Sequence, residues 1–135
     1  MLTAKKYCEE NGLDENKVFD MVVGDGGNIL PARCFTGYIT EITDTSIICT
    51  NDKLGVKKEI PFSSFKAAEF GIGNAYLWLQ CNIDGSFFAF NMSRKNWKSP
   101  VGKLLIEKIS EQVEIAGMKE YNGYTGKLFF IYMWK

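Results

Sequence analysis

The chain has 135 residues, 46% of them hydrophobic, and its 16 Lys and Arg offset 16 Asp and Glu to a net charge of zero. This balance excludes a disordered chain and a strongly basic nucleic-acid binder, and the length suits one domain with a sizeable core. The absence of histidine removes Ser-His-Asp and Cys-His catalysis, His-ligated zinc, and the usual proton shuttle near neutral pH.

In chain order, the first ten residues place Glu9 and Glu10 close behind Lys5 and Lys6. No apolar stretch follows, so no signal peptide is expected. Nor does any run approach the roughly 18 apolar residues of a membrane span. A cytoplasmic protein is the natural expectation. Residues 3–11 read as a short helix, with Thr3 as N-cap, Gly12 as the stop, and Leu2, Ala4 and Tyr7 toward the body. Residues 17–23 read as a strand, which Gly24-Asp25-Gly26-Gly27-Asn28 breaks; Pro31 marks another irregular link.

Residues 34–50 form a predicted hairpin turning at Thr43-Asp44-Thr45. A turn over 51–55 leads to strands over 56–62 and 65–70. The strongest pattern is the hairpin over 76–92, where Asp84-Gly85 supplies a two-residue type I′ turn. That turn sets Cys81 opposite Phe88, Leu79 opposite Phe90 and Leu77 opposite Met92, all on one apolar face. The other face carries Trp78, Gln80, Asn82, Phe87, Ala89 and Asn91, a mixed set.

Ser99-Pro100 opens a predicted helix over 99–116, with Ser99 as N-cap. Val101, Leu104, Leu105, Ile109, Val113 and Ala116 form its apolar stripe, and Gly117 suits the stop. A turn-rich link over 118–126 precedes a last strand over about 127–134. Cys8, Cys34, Cys49 and Cys81 include no C-x-x-C pair, so buried reduced thiols are expected, with no metal or cofactor.

The expected fold is thus one α+β, mainly β domain over 1–135. A bent antiparallel sheet or partly open barrel is capped by one C-terminal amphipathic helix. Three stretches carry a resemblance. Residues 37–48 read Gly-Tyr-Ile-Thr-Glu-Ile-Thr-Asp-Thr-Ser-Ile-Ile, residues 58–66 read Lys-Glu-Ile-Pro-Phe-Ser-Ser-Phe-Lys, and the Asp84-Gly85 hairpin precedes the helix from Ser99. With that element order, the chain from about residue 17 to residue 117 resembles the bacterial pleckstrin-homology-like superfamily, including its GRAM-type relatives. The helix over 3–11 and the strand over 127–134 depart from the pattern. The resemblance implies a non-catalytic module that binds phosphoinositides, peptides or proteins. The family's phosphoinositide site needs basic residues in the first inter-strand loop. Here residues 24–32 hold Asp25 and no Lys or Arg, with Arg33 alone following, so that site does not carry over.

Gly24-Asp25-Gly26-Gly27 is not a phosphate loop, because Asn28-Ile29-Leu30-Pro31 starts no helix. Arg94, Lys95, Lys98 and Lys103 gather around Trp97 as the main local charge concentration. They could hold an anionic lipid surface, an acidic partner or a nucleic-acid strand, with Trp97 as a stacking or interfacial anchor; the plainer reading is a solvated loop whose Trp caps the helix–sheet junction. Tyr76, Trp78 and Phe87 make the mixed hairpin face a candidate partner site unless another element covers it. Phe130, Tyr132 and Trp134 alternate on the last strand, which as a sheet edge could pair with a second copy. Glu107, Glu111 and Glu114 have ordinary helix-surface spacing, so no enzyme is expected. The expectation is a cytoplasmic module that binds another protein or serves in assembly, without nucleic acid. The alternative is a peripheral lipid-binding domain using Arg94, Lys95, Trp97 and Lys98.

Overall fold

A computed structural model of the chain describes residues 3–23, 29–30, 36–73, 76–92 and 94–123. The expected glycine-rich break, Pro31, Cys34 and the strand over 127–134 lie outside these, as does Leu2. The described elements make a mainly β, α+β fold around one eight-stranded sheet, in the order β4-β3-β2-β1-β7-β6-β5-β8. The strands are β1 (Val18–Val23), β2 (Thr36–Ile42), β3 (Ser46–Asn51), β4 (Val56–Pro61), β5 (Phe65–Gly73), β6 (Tyr76–Ile83), β7 (Ser86–Asn91) and β8 (Ile115–Ala116). Neighbours run antiparallel except β5 and β8. Among the described residues β4 and β8 are its edges, so the sheet is open rather than a closed barrel.

β1 joins two halves. It pairs with β2 along its length, from Val18↔Glu41 to Val23↔Thr36, but with β7 only at Val22↔Asn91 and Val23↔Phe90. The 3-10 turn Phe62–Ser64 links the β2–β3 turn to the β6–β7 turn. Phe62 N–H donates to the Thr45 carbonyl at 2.9 Å, and the Ser64 carbonyl accepts from Asp84 N–H at 3.0 Å. A backbone group in each of the two hairpin turns is thereby satisfied.

The hairpin over 76–92 forms in the predicted register, with Cys81↔Phe88 and Leu79↔Phe90. Asp84 and Gly85 have φ of 50° and 90°, as a type I′ turn requires. Asn82 Oδ1 accepts from Gly85 N–H at 2.7 Å and secures the turn. Leu77, Leu79, Cys81, Ile83, Phe88, Phe90 and Met92 are all buried. They share one core cluster with Phe65, whose ring stacks on Phe90 at 6.2 Å.

Four helices complete the described fold: α1 (Ala4–Asn11), α2 (Arg94–Trp97), α3 (Pro100–Ser110) and α4 (Met118–Gly123). α1 starts at the predicted cap, where Thr3 Oγ1 accepts from Lys6 N–H, and stops at Gly12 with φ 65°. α3 also starts as predicted, with Ser99 as N-cap and Pro100 in the first turn.

The end of α3 differs from the expectation. The helix stops at Ser110, and Ile115–Ala116 instead form β8, parallel to Ala68 and Glu69 of β5. The helical spacing of Val113 and Ala116 competes with the β-branched Val113 and Ile115 and with the open edge of β5. Edge pairing wins and still buries Ile115. Gly117 follows with φ 73°, and a Cβ there would stand 2.3 Å from the Phe70 carbonyl oxygen. It is a crossing point against the sheet rather than a helix stop. α4 then replaces part of the expected irregular link.

Candidate interaction surface

The basic segment does not form the surface anchor that its composition suggests. Trp97 is 0% exposed, its Nε1–H donates to the Leu77 carbonyl at 3.0 Å, and Phe70 meets its ring edge-on at 5.2 Å. Trp97 is therefore corrected from a candidate lipid or partner contact to a core residue at the helix–sheet junction. A fully buried indole has no face left for stacking on a partner.

Lys98 is engaged as well. Its Nζ donates to the Tyr121 carbonyl at 2.8 Å and sits 3.7 Å above the Tyr121 ring. Tyr121 returns a bond, its hydroxyl donating to the Trp97 carbonyl at 3.0 Å. Together they clasp α2 to α4. Burial, with Lys103 adding repulsion, holds the Lys98 ammonium below its usual pKa. Lys95 and Lys103 are exposed, and Arg94 contributes its backbone to the start of α2. Gly102 explains how tightly the segment packs, because a Cβ there would come within 2.2 Å of the Asn96 carbonyl oxygen.

The outer face of the 76–92 hairpin is the better candidate. Strand registers place residues of β5, β6 and β7 in three rows: Gly71–Trp78–Asn91, Glu69–Gln80–Ala89 and Ala67–Asn82–Phe87. Alternation turns these positions to the face opposite Leu79 and Phe90, where Ala89 is nevertheless buried. Trp78 is half-buried, whereas Gln80, Asn82 and Glu69 are exposed. Phe87 is 54% exposed. Tyr76 begins β6, on the same parity as Trp78. An open groove of about 660 Å³ runs over this face, lined by Lys66, Glu69, Gln80, Asn82, Phe87 and Glu114 among others. Lys66 Nζ reaches back to the Ser63 carbonyl at 3.2 Å.

Three large apolar side chains are exposed among the described residues, Leu54, Ile72 and Phe87, and of these Phe87 lines the groove. Sequence alternation on β6 and β7 identified Trp78 and Phe87. It missed the wall of the groove, Val113 and Glu114, because a helix was expected there. Glu69 and Lys66 went unnoticed because β5 shifts register between Phe65 and Ala67, which disturbs its alternation. Glu107 and Glu111 remain on or at the end of α3, but Glu114 lies beyond it, so their helical spacing does not extend to Glu114.

Among the described residues no three His, Cys, Asp or Glu side chains gather as a metal set. Cys49 and Cys81 are buried, and burial pushes the Cys49 thiol up to about 12 and Cys81 further in the same direction. No described helix is long and apolar enough to cross a membrane. No protein-family model matches the chain, and no curated protein matches it.

Proposed function

We propose that this chain is a non-catalytic, cytoplasmic module of pleckstrin-homology-like type that binds another protein through the outer face of β5, β6 and β7. The observation that carries this reading is Phe87, a large aromatic more than half exposed beside an open groove. Exposed aromatics in concave surroundings characterise protein contact sites and contribute much of their binding energy. The open, mainly antiparallel sheet followed by an amphipathic helix supports the resemblance as a fold. The anionic-lipid alternative through Arg94, Lys95, Trp97 and Lys98 draws less support, since Trp97 is core and Lys98 is held by Tyr121. Self-pairing through an edge strand and nucleic-acid binding also draw no support from this surface.

The test is a pull-down of tagged protein from source-cell extract, washed at low and moderate salt, beside liposome flotation. Wild type is expected to retain a protein partner through the moderate-salt wash. Phe87→Ala should weaken that retention by about 2 kcal/mol, roughly thirtyfold in affinity. Undiminished capture by Phe87→Ala moves the contact elsewhere. Salt-sensitive flotation without a protein partner favours the lipid reading instead.

A further inference from the structure

Where β1 and β2 run side by side, the sheet buries apolar residues on both of its faces, and the two layers are unequal. Phe19, Tyr38 and Ile42 enter the main core. Val18 and Ile39 point the other way and join Cys8 of α1 in a separate cluster, edged by Ala4, Tyr7 and Leu13. The sheet itself stands between the two layers.

We propose that α1 is a hinged cover. It leaves the outer face of β1 and β2 in one cooperative step while the sheet stays folded, uncovering Val18, Ile39 and the Cys8 thiol. Three observations support this. Among the described residues the satellite cluster has three buried residues, so little apolar area holds the helix. Polar attachment among the described residues is equally slight: Asp20 Oδ1 accepts from Ala4 N–H at 3.1 Å in an exposed position. Eight residues are also fewer than the roughly 12–15 an isolated helix needs, so α1 unwinds as it leaves. The left-handed Gly12 and the residues before the 3-10 turn Glu15–Lys17 supply the hinge. No ladder bond of the sheet is lost when the helix departs.

Native-state labelling with iodoacetamide, resolved by peptide mass spectrometry, tests this. Each cysteine's rate is divided by its rate in denaturant, and Cys81 reports opening of the main core. The full chain should show Cys8 at least tenfold less protected than Cys81. Ile115→Ala weakens the core far from α1 and should speed Cys81 at least tenfold while leaving Cys8 unchanged. Removing the cap with Thr3→Ala should speed Cys8 about fivefold. Equal protection of Cys8 and Cys81, or an equal response of both to Ile115→Ala, overturns the proposal, because α1 then departs only with global unfolding. A Cys8 rate indifferent to Thr3→Ala overturns it too, since labelling would not pass through unwinding of the helix.

Discussion

Gly12 and Gly117 share a left-handed backbone but not an environment. Around Gly12 nothing lies within 4 Å of where a Cβ would be, whereas at Gly117 the Phe70 carbonyl oxygen would be 2.3 Å away. Gly12→Ala should therefore cost only the conformational term, about 1 kcal/mol. Gly117→Ala adds a backbone collision that nothing flexible can relieve, and should cost roughly 3 kcal/mol or more. Urea unfolding of the two variants checks the ordering. Cys49 and Cys81 make a second residue-scale prediction. Both thiols are held neutral by burial, Cys49 to about 12, against an ordinary value of 9.0. Below pH 9 both folded and unfolded chains keep these protons, and the stability associated with them is fully present. Above it the unfolded chain releases them while the folded chain does not, so stability falls as pH rises toward 12. Replacing both cysteines with alanine should flatten that alkaline decline by up to about 1.4 kcal/mol per pH unit for each thiol. Urea midpoints at pH 8, 9 and 10 measure it, and parallel slopes in variant and wild type would remove the thiols as the cause.

At the scale of elements, legibility followed the range of the interactions. The hairpin over 76–92 was readable because its turn chemistry and its alternation are both local and agree with each other. The same holds for the caps of α1 and the start of α3, where Thr3, Gly12, Ser99 and Pro100 act within a turn of themselves. The end of α3 was not readable, since it depends on a parallel ladder between residues about 47 positions apart, Ala68 and Ile115. Nothing near Ile115 announces that β5 has a free edge. Of the two readings open at Trp97, the structure fits the cap of the helix–sheet junction and not the surface anchor, and sequence alone could not choose between them for the same reason. Its neighbours in sequence are basic, but its partners are the Leu77 carbonyl and the Phe70 ring. The candidate surface was half legible: β6 and β7 gave Trp78 and Phe87, while the wall at Val113 and Glu114 exists only because β8 docks on β5.

For the whole molecule, the open sheet leaves an edge to be managed. β4 ends the described sheet with Val56-Lys57-Lys58-Glu59-Ile60-Pro61, in which Lys57, Lys58 and Glu59 are exposed. An edge strand offers unpaired backbone groups to any other strand, and charged side chains with a proline are the usual defence. The defence here is graded by face. Ile60 is buried inward, while Lys57 and Glu59 alternate outward, and Pro61 withholds an N–H at the strand's end. Lys58 has a second task, its Nζ donating to the Ile29 carbonyl at 2.7 Å and so tying residues 29–30 to the edge. Lys57 is exposed and stands on the other face from Lys58, which makes it the cleaner probe. Lys57→Val should leave the fold's stability within about 0.5 kcal/mol of wild type, as expected for an exposed surface position. It should also raise self-association, because an apolar, β-branched residue then replaces a charge on an open edge. Sedimentation velocity over a concentration series reads both monomer and dimer. A shift toward dimer in Lys57→Val, absent from wild type at the same concentration, identifies charge as what keeps this edge single. Identical sedimentation of the two proteins would instead assign that role to Pro61 and to the twist of β4 itself.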